Sequence, residues 1–383
     1  MFTQNIGYQF DKLKDKNSLV NDLMAVALAV GTSYDNVMYS SNLKDAVTGY
    51  IFDVDNKITY AVPEAARGKF ISNMVGGVLT TTDAGKYDLI LTKNIDLKDS
   101  INIRNFGFVD GVDSTAIINK AISYVASVGL KLVFGKSDIV ASNINIVGLS
   151  GFSVDFGLST ISPPDGYKGK ILEVDGCTDF RLMGSLTING NRLLFPSAET
   201  DEQPYAQGDF DIRNSNNFAL GTFKSLNAYG NGIVIDACHD YTYNELISDG
   251  ARDFGVSTWG VGDFDAQTTY NGKGNLMRGD NSVRYHGVRV SGARNINAKI
   301  LMGSGNANNG VIHETGSQDC TYGTIITKGN GINGGKFQES KKCHVDTVIS
   351  EDNAIGGFGF IDAQSCTIGH AKTSGNAYGA FQN

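Results

Sequence analysis

The chain has 383 residues, 41% of them hydrophobic, with 47 Gly, only 5 Pro and a formal net charge of −8. The acidity argues against nucleic acid as the main partner, and the apolar content argues against disorder. No stretch is long and apolar enough to span a bilayer, so no membrane insertion is expected.

In chain order, the first feature is the apolar run Leu23-Met24-Ala25-Val26-Ala27-Leu28-Ala29-Val30. It resembles a short signal core, but Asp11, Asp15 and Asp22 precede it, interleaved with Lys12, Lys14 and Lys16, whereas a signal needs a basic leader. A short packing or oligomerising helix is expected there instead. Strands follow at Tyr50-Ile51-Phe52-Asp53-Val54 and Lys57-Ile58-Thr59-Tyr60, with a hairpin turn at Asp55-Asn56. Residues 1–95 lack the period of the later chain and read as a separate module. Residues 96–130 read as a linker and a capping helix. That helix runs from Thr115 to about Ser127, with Asp113 or Ser114 as N-cap and Ile117, Ala121, Ile122 and Val125 as its buried stripe.

Residues 131–383 open with strands at Leu132-Val133-Phe134 and Ile144-Asn145-Ile146, and a period of about 23 residues then takes over. Cys320, Cys343 and Cys366 recur at 23, as do Asn330, Asn353 and Asn376, while Gly287, Gly310, Gly334 and Gly357 open successive units. Within units apolar residues alternate, as in Gly-Val288-Arg-Val290 and Gly-Phe358-Gly-Phe360, which is strand periodicity. The pattern predicts a solenoid of parallel strands whose coils begin at 171, 209, 232, 255, 287, 310, 334 and 357. Two insertions, residues 190–208 and roughly 260–283, leave it. Positions nine or ten past each start are predicted to stack inward as Phe180, Phe218, Tyr241, Ile296, Cys320, Cys343 and Cys366. Cysteines there are read as small hydrophobes, because stacked Cβ atoms point in parallel and suit a disulfide poorly. The competing reading is a disulfide or a metal site, since His344 and His370 lie nearby in sequence. The absence of CxxC spacing favours structural thiols, and no metal or cofactor is predicted. The pairs Gly230-Asn231, Gly305-Asn306, Gly329-Asn330 and Gly375-Asn376 are read as turns.

The run Asn105-Phe106-Gly107-Phe108-Val109-Asp110-Gly111-Val112-Asp113-Ser114, the helix Thr115-Ala116-Ile117-Ile118-Asn119-Lys120-Ala121-Ile122 and the strand after it resemble the opening of pectate-lyase-like right-handed β-helices. Thr187-Ile188-Asn189-Gly190-Asn191-Arg192 is similar to a stretch common in that superfamily. Gly49 through Ala66 looks like the N-terminal part of phage tailspike proteins. The resemblance implies an all-β, right-handed parallel β-helix behind a small mixed α/β module. It also implies a homotrimeric virion appendage, assembled in the host cytoplasm, which agrees with the lack of a secretion signal. In such a protein residues 1–95 would dock on a phage tail or baseplate protein. The β-helix would bind, and usually degrade, bacterial surface polysaccharide, either capsule or O-antigen. Ala380-Phe381-Gln382-Asn383 opens a further coil, so cover for that end is expected from additional sequence or a partner.

The same register assigns outward residues. Two past each start lie Glu173, Asp211, Val234, Ser257, Arg289, Ile312, Lys336 and Gly359. Four past lie Asp175, Arg213, Asp236, Trp259, Ser291, Glu314, Gln338 and Ile361. Carboxylates for acid/base work, an aromatic face for a pyranose and cations for an acidic substituent are what a sugar site uses. Glycoside hydrolysis needs two carboxyl groups, ~5 Å apart for retention or ~6.5–9.5 Å for inversion. Asp211 and Asp236 sit on neighbouring coils offset by two residues, which puts their Cα atoms ~8 Å apart. They are the first catalytic candidates, with Glu173 and Asp175 in reserve and Asp263 and Asp265 of the second insertion as runners-up. Trp259, Arg213, Arg289 and Glu314 are the substrate-binding candidates. Each carboxylate has a plainer reading as a solvated or salt-bridged surface residue. Two rival functions remain open. One is a polysaccharide lyase using Arg289 or Lys336, with Glu173, Asp175 and Asp211 holding calcium, although no metal loop is visible. The other is a non-catalytic structural or receptor-binding spike, or an adaptor carrying another enzyme.

Overall fold

A computed structural model describes residues 37–39, 49–53, 58–75, 78–91, 100–190, 192–194, 208–260, 268–379 and 381–382. The expected helix at Leu23–Val30 and the turn at Asp55-Asn56 lie outside the described residues. The chain divides into two compact units, Met1–Ile101 and Asn102–Asn383. Among the described residues no helix is long and apolar enough to cross a membrane.

In the first unit, Tyr50–Asp53 pairs antiparallel with Ile58–Ala61, the two strands that the sequence predicts as a hairpin. Val37–Tyr39 and Ile90–Leu91 complete a four-stranded sheet, and Ile71–Val75, Val78–Thr81 and Lys86–Asp88 form a three-stranded one. Ile51, Val62, Ala66, Leu79 and Leu89 make a small core.

The second unit is a right-handed parallel β-helix. Its helix, Thr115–Val128, starts where expected: Asp113 Oδ1 accepts the Thr115 N–H at 3.0 Å, and Gly129 closes the far end at φ +68°. The buried stripe is shifted by one residue from the prediction. Ile118, not Ile117, joins Ala121, Ile122 and Val125 inside. Beyond the helix, ten short strands from Ile144–Val147 to Phe381–Gln382 stack into one sheet. A second, twelve-stranded sheet collects the long strands, such as Thr178–Asn189 and Asn216–Leu226.

The coil register agrees with the sequence reading position by position. Glu173 pairs with Asp211, Asp211 with Val234, Val234 with Ser257, and Ser257 with Arg289. The glycine that opens each coil has a steric cause. A Cβ on Gly287 would meet the Gly310 carbonyl oxygen at 2.7 Å, and one on Gly310 would meet that of Gly334 at 2.6 Å. Successive backbones therefore approach too closely there for any side chain.

The inward ladder holds with one coil to add. Phe180 stacks on Phe218 and Phe218 on Tyr241, with ring centroids 4.8 and 5.2 Å apart. Tyr241 is followed by Gly272, a position the predicted ladder skips. Gly272 and Gly274 leave room for the phenol rings above them, since a Cβ on either would lie 2.3 or 2.1 Å from Tyr241 or Tyr243. Cys320 and Cys343 then continue the interior, and all five cysteines are free. In three of the four Gly-Asn pairs the glycine, Gly305, Gly329 or Gly375, takes the left-handed conformation, as Asp352 does before Asn353, while Asn306, Asn330, Asn353 and Asn376 turn inward; Gly230 does not take it. Each asparagine Nδ2 donates to the Oδ1 of the next, at 2.9, 2.8 and 2.9 Å. That polar file satisfies corner amides that no strand pairing reaches.

Candidate functional site

The outer face of the short-strand sheet gathers the charged residues of three consecutive coils. Asp211 is fully buried, and the Arg213 guanidinium grips it with two bonds, Nε to Oδ1 at 2.7 Å and Nη2 to Oδ2 at 3.0 Å. The same guanidinium reaches Asp236 Oδ2 at 3.3 Å from Nη1. Lys170, which sequence reasoning did not single out, bonds Glu173 and stands 3.6 Å from Asp211 Oδ2. Asp175 accepts from Asn214 Nδ2 at 2.8 Å.

Within the group of Lys170, Glu173, Asp211, Arg213 and Asp236, two cations face three carboxyl groups. One carboxyl is thus left short of counter-charge, and Asp236 is the one whose pKa is raised. Burial pushes it up, Arg213 pulls it back, and the Asp211 charge pushes it up further. Arg213 itself is held above its usual range: burial opposes the shift, but the bonds to Asp211 and the charges of Asp236 and Glu173 prevail. Asp211 has no exposed side-chain surface and is held by Arg213. Glu173 and Asp236 keep about a fifth of their side-chain surface exposed.

On the next coil, Trp259 is the register partner of Asp236. The Arg289 guanidinium lies 5.1 Å from the Trp259 ring and 4.7 Å from the Phe254 ring, and its Nε bonds Glu314 Oε1 at 2.6 Å. Phe254 escaped sequence reasoning because it lies just before a coil start, outside both outward rows. The face therefore brings together Glu173, Asp175, Asp211, Arg213 and Asp236 in one cluster, and Trp259, Arg289 and Glu314 in the adjoining one. Asp263 and Asp265 lie outside the described residues.

A further acid went unassigned in the sequence. Asp209 occupies the column where later coils carry glycine, and it is buried with Ser225 Oγ donating to it at 2.9 Å. Burial raises its pKa well above the carboxylate range, and the Ser225 bond only partly offsets this. It sits at the foot of the first insertion.

A groove of about 710 Å³ marks the other sheet, lined by Thr242, Lys273, Asn275, Asn297, Lys299 and Thr321. Lys273 and Lys299 give its lining a positive charge beside amides and hydroxyls. Among the described residues, the group of three or more side chains placed to hold a metal lies inside the coil, not on either face.

Neither a family profile nor a curated sequence matches the chain. Solved structures do match. The enzymatically active domain of tailspike protein 2 of bacteriophage CBA120 aligns at TM-score 0.51 and 13% identity, over 85% of this chain and 50% of that one. The A-module of an Azotobacter vinelandii mannuronan C-5 epimerase, AlgE6, aligns at TM-score 0.51 and 16% identity, over 73% and 78%. The likeness is one of fold. The full-length tailspike protein 2 of an Escherichia coli O157:H7 bacteriophage aligns at TM-score 0.45 and 11% identity over 90% of this chain, which spans 60% of that protein.

Proposed function

We propose that this protein binds and hydrolyses a bacterial surface polysaccharide, capsule or O-antigen, as a phage tailspike of the pectate-lyase-like β-helix type. The observation that carries the reading is Asp236: a half-buried carboxyl of raised pKa, register partner of Trp259, with Arg213 on one side and the Arg289–Glu314 pair on the other. A carboxyl whose proton is held more tightly because burial disfavours its charge is what a leaving glycosidic oxygen needs from a general acid. Glu173 is the second carboxyl, in reach of solvent and bonded to Lys170. Asp211 holds Arg213 in place. Trp259 stacks on a sugar ring, and Arg289 and Arg213 meet acidic substituents. The lysine groove of the other sheet extends the polymer's track.

In this reading residues 1–95 attach the spike to a phage tail or baseplate protein, three copies associate, and the protein resides on the virion. The aligned phage domain, described as enzymatically active, supports it as a precedent for this fold at work on a tailspike. The test is incubation with purified capsular and O-antigen polysaccharides, followed by product mass and end-group analysis. New reducing ends without unsaturation support hydrolysis. Ultraviolet-absorbing unsaturated ends would replace it with elimination, and retention of intact polymer would leave a binding spike.

A further inference from the structure

We propose that the solenoid interior holds a zinc ion between His313, Cys320 and Cys343, joining the two sheets from within. His313 projects inward from the short strand Val311–Glu314, and Cys320 and Cys343 stack on successive coils just before the long strands Thr321–Lys328 and His344–Glu351. One ligand atom from each lies within 4.8 Å of the others. All three side chains are buried, with exposures of 0%, 0% and 1%.

His313 is the observation that asks for a ligand. Neither Nδ1 nor Nε2 has a hydrogen-bond partner, although the ring is sealed from solvent. A neutral imidazole must leave both a donor and an acceptor unmet there, at a cost that protein interiors rarely carry. Its column does not call for a histidine: Ile212, Ile235, Thr258, Val290 and Phe337 hold the equivalent places on other coils. The Tyr322 ring lies edge-on to His313 with centroids 5.0 Å apart, and its hydroxyl approaches the Cys320 thiol. The histidines that sequence reasoning weighed beside these cysteines point elsewhere. His344 faces outward, bonded to Thr367 Oγ1 at 2.7 Å and to Asp346 Oδ1 at 2.9 Å, and His370 is exposed.

The donor set selects the ion. Two thiolates cancel the charge of a divalent cation, so a zinc site with a neutral imidazole and the neutral Tyr322 hydroxyl carries no net charge into an apolar core. A monovalent soft cation on the same thiolates would leave one negative charge buried. Zinc holds sulfur at ~2.3 Å and nitrogen at ~2.0–2.1 Å, which puts ligand atoms ~3.6 Å apart in a tetrahedron. Because the site is sealed, the ion must enter while the C-terminal coils wind, and loading is coupled to folding.

The test uses the full chain, unfolded in guanidinium with a chelator and refolded with Zn²⁺, with Co²⁺ or with chelator alone. After desalting, folded wild type should retain about one zinc per chain, and the cobalt form should show thiolate-to-metal charge transfer and strong tetrahedral visible bands. The variants His313→Phe, which matches its neighbour Phe337, and Cys343→Ala should retain none, while Cys177→Ala should load like wild type. Folded wild type recovered from zinc with less than about a tenth of an equivalent would overturn the proposal, as would equal loading by His313→Phe and wild type.

Discussion

Replacing Arg213 by Gln removes the one guanidinium that bridges Asp211 and Asp236. Asp211 is fully buried and, among the described residues, would keep Lys170 at 3.6 Å and the Gly208 N–H at 3.4 Å. Breaking a buried pair from one side costs about 3–5 kcal/mol, and the remaining lysine places this case near the lower figure, about 3 kcal/mol. For a cooperative unit of this size, that corresponds to a melting-point drop of roughly 6 °C. The double variant Asp211→Asn/Arg213→Gln removes the fully buried Asp211 charge together with its partner and should recover most of the loss. Thermal melts followed by circular dichroism on wild type, both single variants and the double variant form a complete cycle. A single Arg213→Gln variant melting within about 1 °C of wild type would refute the buried-clamp reasoning, and so would a double variant no better than the single.

Three further outcomes follow from the interior. The folded pKa of Asp209 lies above its unfolded value of about 3.9, so its contribution is fully present below that pH and is lost as pH rises through the folded value. Asp209→Asn should therefore match wild type near pH 4 and exceed it in denaturant midpoints as pH rises above that; a difference that is constant from pH 4 upward or shrinks contradicts this. Asn330→Ala deletes donors to Asn353 Oδ1 and the Gly303 carbonyl and strands the Asn306 N–H. It should cost about 3–5 kcal/mol by chemical denaturation, against about 1 kcal/mol for Asn376→Ala at the partly open end of the file. Gly274→Ala drives a methyl into the Tyr243 ring and should cost about 1–3 kcal/mol, partly recovered when Tyr243→Leu is added; no loss would show that the ring does not fill that space.

The solenoid was legible because two independent periods, 23 along the chain and 2 along each strand, fix both coil length and which side chains point outward. Glu173, Asp211, Asp236, Trp259 and Arg289 were placed on one face for that reason. What the periods do not carry is depth. Asp211 and Asp236 belong to the same outward face, yet Asp211 is fully buried while Asp236 keeps about a fifth of its side chain exposed. Gly272 was skipped because a ring from the coil above fills its place, which removes the apolar letter that the pattern looks for. Asp209 hid in a glycine column, and His313 was missed as a neighbour of the cysteines because it faces them across the coil, from the other sheet.

Cleavage of a susceptible polysaccharide by wild type, Asp236→Asn, Glu173→Gln and Trp259→Ala, measured beside binding of the uncleaved polymer, tests the proposed site most directly. Asp236→Asn and Glu173→Gln should each lose at least about a hundredfold in rate while retaining the polymer, and Trp259→Ala should weaken retention. Wild-type cleavage rates in both carboxyl variants would contradict the assignment of this face as the site of hydrolysis.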